Sequence, residues 1–122
     1  MVGAGKASGA MAHALEEILG DRITAGLVVV KNRYTTHTRK IKLVEADHPI
    51  PDERGLRAAN EILALARDAG EGDLLIVLIS GGGSALTPCP APPITLEEKQ
   101  VLTRLLSAAG VNINELNAVR KH

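Results

Sequence analysis

The feature that most constrains this fold is an uninterrupted apolar run followed at once by a glycine-rich turn. Six apolar residues, Leu74 to Ile79, form the run. The turn consists of Ser80, Gly81, Gly82, Gly83 and Ser84. Such a run predicts a strand buried on both faces of a parallel sheet. Glycines behind it let successive backbone N–H groups approach an anion closely, so the turn is predicted to bind a phosphate or a carboxylate. A plain flexible turn is the alternative.

The other predicted strands also end in polar groups. Lys6 follows a short strand at Met1 and Val2, Lys31 follows the apolar run 25–30, and His48 follows the run 41–46. In open α/β sheets the carboxyl ends of parallel strands meet at one edge, where ligands bind. We therefore expect these groups to share a rim with the triple-glycine turn. The alternative is that loops of α/β proteins are polar in any case.

The order of elements predicts the fold class. Strand, helix, two strands, helix, strand and two helices follow one another, which indicates an α/β domain. We expect an open, mostly parallel, Rossmann-like sheet flanked by helices. The chain opens on the last residues of a strand and closes inside a helix. Residues 1–122 are therefore expected to form part of one α/β domain, incomplete at both ends, without a second domain.

Composition excludes several classes of function. Lys plus Arg and Asp plus Glu each number 14, so the net charge is zero and no basic footprint for nucleic acid exists. Tyr34 is the sole aromatic residue, which leaves no stacking platform for single strands. No apolar run approaches the length of a membrane span. Cys89 is the single cysteine, so a reducing, cytoplasmic setting is expected.

The glycine-rich segment near the start permits two interpretations. Lys6 stands at the beginning of a predicted helix, where a cation suits phosphate oxygens, although a solvated surface lysine is the alternative. Gly3, Gly5 and Gly9 come within one residue of the dinucleotide fingerprint. Lys31 stands where that fingerprint has an acidic residue, and a basic residue there can meet a 2′-phosphate. An NADPH-dependent reductase therefore remains open.

The segment around His48 offers further candidates. His48 itself is interpreted as a base, a substrate donor or a hinge element, and a purely structural residue is the alternative. Asp47 and Asp52 are candidate Mg²⁺ ligands through water, since magnesium in phosphoryl-transfer sites takes one or two carboxylates. Asp52 is equally suited to cap the helix that follows. Asn117 and Arg120 share one face of the last predicted helix, for which a solvated surface is the alternative.

Together these motifs resemble the glycerate 2-kinase family, of the MOFRL type and formerly named hydroxypyruvate reductase. The matching segments run in the family's order along the whole chain. They are residues 5–12, 26–31, 45–52, 78–86, 94–96 and 117–122.

The resemblance implies ATP- and Mg²⁺-dependent phosphorylation of D-glycerate to 2-phosphoglycerate by the full-length enzyme. Lys6 then resembles the lysine proposed to stabilise the transferring phosphoryl group. The turn from Ser80 to Ser84 would bind phosphate or the substrate carboxylate, with His48, Asp52, Asn117 and Arg120 in the same cleft.

Family members are several times longer, so we expect residues 1–122 to correspond to a fragment that is weak or inactive alone. Its exposed apolar surface is expected to favour homo-oligomers. A hydroxypyruvate reductase and a non-catalytic anion-binding or oligomerising module are the alternatives.

Overall fold

The computed structural model describes residues 1–121, and His122, the last residue of the segment 117–122, lies outside the described part. A sheet of four strands in the order β3-β2-β1-β4 is parallel throughout. The strands are β1 (Val2–Ala4), β2 (Gly26–Lys31), β3 (Ile41–Ala46) and β4 (Val77–Ile79). The helices are α1 (Ser8–Leu19), α2 (Glu53–Asp68), α3 (Gly83–Leu86), α4 (Leu96–Ala108) and α5 (Ile113–Lys121). The predicted α/β class with a parallel sheet is confirmed.

Strand β2 is the centre of the hydrophobic core. Its residues Leu27, Val28, Val29 and Val30 are at most 2% exposed. Leu27 and Val29 pack on the face covered by α2 and α3, whereas Val28 and Val30 pack on the face covered by α1. A strand flanked by strands on both edges and helices on both faces must be apolar at every position, and β2 fits that rule.

The connection between β2 and β3 contains no helix, although parallel neighbours are usually joined by one. Glu16 on α1 holds it in place. The carboxylate accepts hydrogen bonds from the backbone N–H groups of Arg39, Lys40 and Ile41 at 2.7, 2.8 and 2.7 Å. Glu16 is 3% exposed, so its charge is satisfied almost entirely by these amides. The loop 34–40 is thereby fixed against α1.

The prediction that residues 74–79 form a central strand buried on both faces is wrong. Strand β4 contains only Val77, Leu78 and Ile79 and pairs with β1 alone, at the edge of the described sheet. Leu78 is buried, but Val77 and Ile79 are 54% and 66% exposed. The pairing with β1 begins at Val2, which lies opposite Val77 and donates its backbone N–H to Ile76 O at 2.9 Å, so Leu74 and Leu75 lie outside the strand pair.

The predicted cap of Asp52 on α2 is confirmed, and α4 is capped as well. Asp52 caps α2 by accepting a hydrogen bond from Gly55 N at 2.9 Å. Thr95 and Glu98 form a reciprocal capping box at the start of α4. No helix within residues 1–121 is long and apolar enough to cross a membrane.

Candidate functional site

The ends of three strands meet where the glycine turn follows β4. A Cβ atom built on Gly82 would lie 2.9 Å from Cδ2 and 3.1 Å from Nε2 of His48, and 3.7 Å from Cε of Lys6. Gly82 has a φ of +95°, which side-chain-bearing residues rarely adopt. We call Lys6, His48 and Gly82 the rim. The structure therefore brings together the groups that were predicted to follow β1, β3 and β4.

Ser80 joins the two glycine loops to each other. Its hydroxyl oxygen accepts a hydrogen bond from Ala7 N at 3.0 Å and lies 3.0 Å from Ser8 Oγ. Ser8 Oγ donates its own proton to Leu78 O at 3.2 Å, so the proton between the two serines belongs to Ser80. The Ser80 hydroxyl is thus engaged inside the protein. Among the predicted anion ligands, it has a clear structural role.

Gly5 makes this close approach of the loops possible. It has a φ of +142°, and a Cβ atom there would lie 2.1 Å from Ser80 Oγ. Lys6 N also donates to Gly81 O at 2.9 Å, which ties the lysine loop to the glycine turn. The space beside Gly5 is filled by protein, so this glycine is not left open for a pyrophosphate. That geometry argues against the dinucleotide-fingerprint interpretation.

The glycine turn has further donors besides the Ser80 hydroxyl. Among residues 1–121, no acceptor receives the backbone N–H of Gly81 or Gly82. Ser84 is exposed on α3. Because α3 is a single turn, its helix dipole contributes little. The predicted anion contact therefore depends on the amides of Gly81 and Gly82 together with Ser84 and Lys6.

Cations surround the imidazole of His48. Burial lowers the pKa of His48 below its ordinary value, and the positive charges of Lys6, Lys31 and Arg120 lower it further. Its imidazole is therefore neutral at physiological pH, and three positive charges act on it. Such a group of cations around a neutral ring favours a bound anion.

Lys31 was predicted to lie near the triple-glycine turn and, in the NADPH interpretation, to meet a 2′-phosphate, but it was not among the candidate residues of the kinase site. It lies on the same side of β2 as Leu27 and Val29, towards α3, since side chains alternate along a strand. Its Nζ lies 5.7 Å from the centroid of the Tyr34 ring.

Arg120 and Asn117 differ in their relation to the rim. Arg120 acts on His48 through its charge, burial lowers its own pKa, and its Nη2 is buried without a partner among residues 1–121. An anion that hydrogen-bonds to such an unpartnered guanidinium nitrogen is bound favourably, because the nitrogen regains a hydrogen bond. Asn117 is exposed on α5, and no hydrogen bond within the described residues joins it to the rim.

Asp47 and Asp52 are bound to Arg54. Its Nη2 lies 3.2 Å from Asp47 Oδ1, its Nε donates to Asp52 Oδ2 at 2.7 Å, and its Nη1 donates to Asn32 Oδ1 at 3.1 Å. Asn32 Nδ2 also donates to Asp47. A cation already stands between the two carboxylates, so they do not fit the predicted role as magnesium ligands. Within residues 1–121, no cluster of three potential metal ligands is present.

Sequence reasoning missed Asn32 and Arg54. Asn32 follows β2 directly, and Arg54 lies two residues after the N-cap Asp52. The one available signal was a basic residue beside two carboxylates in a single loop.

The chain is similar to several known proteins over its whole length. The model of a family described as "Domain of unknown function (DUF4147)" matches residues 1–122. A protein of Agrobacterium vitis named as a hydroxypyruvate reductase is 45% identical over 121 residues, or 99% of this chain and 31% of that protein. Glycerate 2-kinase of Pyrococcus horikoshii is 43% identical over 122 residues, or 100% of this chain and 27% of that protein.

A solved structure shares the fold. The crystal structure of glycerate kinase from Thermotoga maritima superposes with a TM-score of 0.87 at 40% identity, covering 99% of this chain and 30% of that one. The chain thus spans less than a third of the length of these relatives.

Proposed function

Since this chain belongs to the DUF4147 family, we propose that it supplies the phosphate-binding part of an ATP-dependent kinase acting on D-glycerate. In this proposal residues 1–122 are part of one α/β domain, and the whole protein transfers the phosphoryl group to the 2-hydroxyl. The isolated chain is weak or inactive.

The reaction exchanges one bond to phosphorus for another. The 2-hydroxyl oxygen of D-glycerate bonds to the γ-phosphorus of ATP, and the bond from that phosphorus to the bridging oxygen breaks, releasing ADP. Phosphoryl transfer depends mainly on positioning and charge neutralisation. Lys6 neutralises charge on the transferring group, and the amides of Gly81 and Gly82 donate to anion oxygens. The neutral His48 accepts the hydrogen bond of the attacking hydroxyl and takes its proton as the bond to phosphorus forms.

One observation supports the proposal most strongly, namely that Lys6 and His48 both border the space in front of Gly82. A Cβ carbon at position 82 would clash with the His48 ring, so glycine lets the turn lie this close to both side chains. Lys31 and Arg120 add positive charge, and Arg120 has a buried guanidinium nitrogen with no partner among residues 1–121. This combination suits an anion with several oxygens, such as a phosphate.

The test uses a chimera. This chain replaces the matching residues of the Pyrococcus horikoshii glycerate 2-kinase and is assayed with D-glycerate, ATP and MgCl₂, following ADP and 2-phosphoglycerate. We expect both products, and a loss of roughly 100-fold in kcat for Lys6→Gln. Lys42→Gln is the matched control, because Lys42 is exposed and pairs with Glu61 at 2.7 Å.

Two results overturn the proposal. One is a folded chimera in which Lys6→Gln leaves ADP release unchanged. The other is oxidation of NADPH with hydroxypyruvate and no ADP release, which supports the reductase. If the chimera does not fold, titration of the 122-residue chain with ADP decides, and absence of saturable binding counts against the proposal.

We also propose that the isolated chain forms homo-oligomers through the open edge of β4. Val77 and Ile79 are more than half exposed, and no charged residue lies between Asp73 and Glu97. Apolar strand edges without charges pair readily with a second copy. Sedimentation velocity should show a concentration-dependent dimer that Ile79→Lys weakens, and a strict monomer contradicts this.

A further inference from the structure

Arg54 joins three segments beside the rim. It reaches Asn32 after β2, Asp47 after β3 and Asp52 before α2, with donor–acceptor distances between 2.7 and 3.2 Å. Its planar guanidinium has five N–H donors in a fixed geometry, which suits three acceptors from three directions. The hydrogen bond that Arg54 donates to Asp52 raises the pKa of Arg54 above its ordinary value, and the charges of Asp52 and Asp47 add to that effect.

These contacts bracket His48. Asp47 precedes it directly and Asp52 follows four residues later, so both flanks of the loop are tied to the same guanidinium. Asn32 adds a second tie, because its backbone N–H donates to Ala46 O at 3.3 Å. The position of His48 against Gly82 therefore depends on a network that does not include His48.

We propose that Arg54 is a positioning residue that holds His48 at the rim and occupies, as a built-in cation, the space between Asp47 and Asp52. The proposal rests on the proposed function, because the position of His48 at the rim matters only if the rim binds the reacting groups. In this proposal Asp47 and Asp52 support the site by binding Arg54, and they are not metal ligands. A divalent ion at that place would have to displace the guanidinium.

Three variants test the proposal. Arg54→Gln removes the charge and two of the three ties, and Arg54→Lys keeps the charge without the planar geometry. Arg57→Gln is the matched control on the exposed side of the same helix. Circular dichroism first verifies folding, which should persist because Asp52 still accepts from Gly55 N.

Two measurements then follow, the ring resonances of His48 by NMR and the affinity for sulfate. We expect Arg54→Gln and Arg54→Lys both to shift the His48 resonances and to weaken sulfate binding about tenfold. Arg57→Gln should match the unsubstituted chain. Unchanged His48 resonances and sulfate affinity in Arg54→Gln overturn the proposal. A lysine variant that behaves like the unsubstituted chain also overturns it, since charge alone would then suffice.

Manganese tests the second half of the proposal. Titration of the unsubstituted chain with Mn²⁺ should leave the resonances of Asp47 and Asp52 sharp. Saturable broadening of these resonances overturns the assignment of that space to Arg54. If the unsubstituted chain binds no sulfate, the proposed function fails by itself, whereas the His48 resonances still decide the role of Arg54.

Discussion

The backbone of Gly82 lies against the imidazole of His48, with only 2.9 Å between the place of a Cβ atom on Gly82 and Cδ2 of His48. Lys6 borders the same space through its Cε atom, 3.7 Å away. A methyl group at position 82 would therefore enter the rim. Glycine is required there both for this space and for the φ of +95°.

Replacing Gly82 by alanine should damage anion binding more than stability. The methyl group displaces the His48 ring, and the positive φ costs about 1 kcal/mol in the free energy of unfolding. We expect sulfate affinity, measured by calorimetry, to fall at least about tenfold, which corresponds to about 1.4 kcal/mol.

Gly81→Ala is the control for that variant. No atom lies within 4 Å of a Cβ on Gly81, and its φ lies outside the left-handed region. Its stability and sulfate affinity should stay close to those of the unsubstituted chain. Equal losses in both variants would contradict the account of the rim.

The pKa of His48 should respond to a bound anion. Burial and the charges of Lys6, Lys31 and Arg120 lower its pKa in the folded chain. The folded state therefore binds this proton less readily than the unfolded state does. The contribution of the neutral His48 to the free energy of unfolding is complete above pH 6.5 and is lost as the pH falls through the lowered pKa.

Sulfate, which does not titrate in this range, should reverse part of that effect. A negative charge beside the ring raises the pKa of His48, so sulfate should bind more tightly as the pH falls. NMR titration of the His48 ring with and without sulfate measures both quantities. An identical pKa in both titrations would rule out an anion next to His48.

Much of the fold follows from local patterns, because strands β2 and β3 and the caps of α2 and α4 depend on neighbouring residues. The resemblance to the glycerate 2-kinase family is confirmed by the matching relatives and solved structures. The edge position of β4 could not be predicted. Six apolar residues indicate a strand that packs on both faces, but they do not say which segment of a chain covers it.

The candidate site shows the same limit. The closeness of Lys6, His48 and Gly82 could be predicted, because the carboxyl ends of parallel strands meet at one edge of a sheet. The ties of Asp47 and Asp52 to Arg54 could not, since a carboxylate that binds a metal and one that binds a guanidinium look alike in a sequence. The different roles of Ser80 and Ser84 likewise could not be predicted, because they depend on the position of Ser8 in the fold.

Replacing each of the two serines of the turn by alanine should have different effects. Ser80→Ala breaks the contacts to Ala7 N and Ser8 Oγ, so we expect a loss of about 1–2 kcal/mol in the free energy of unfolding. Ser84→Ala, at an exposed position, should change stability by less than about 0.5 kcal/mol and should weaken sulfate binding. Urea unfolding measures the first quantity and calorimetry the second. Equal stability of the two variants would contradict the structural role of Ser80.

Glu16 should be important for stability in acid. Its desolvation raises the pKa, but the hydrogen bonds from Arg39, Ile41 and Lys40 outweigh this, so the pKa lies below its ordinary value. The stabilisation is therefore complete above pH 4.5 and is lost as the pH falls through the lowered pKa.

Glu16→Gln should cost about 2–3 kcal/mol at pH 7, because a neutral amide cannot accept three backbone hydrogen bonds as a carboxylate does. Thermal unfolding between pH 3 and pH 7 measures both effects. Glu17→Gln is the control, since Glu17 is exposed and pairs with Arg39 only at 3.5 Å. A glutamine variant at position 16 as stable as this control would show that the loop 34–40 does not depend on the carboxylate.

The most direct test of the central claim is an NMR titration of the 122-residue chain with inorganic phosphate. If Lys6, His48 and Gly82 form one anion site, the amide resonances of Gly81 and Gly82 and the ring resonances of His48 should shift together, along one saturable curve. Lys6→Gln should lower the phosphate affinity measured by that curve, whereas Lys42→Gln should not. Shifts that do not saturate, or that centre on residues away from the glycine turn, would contradict the claim.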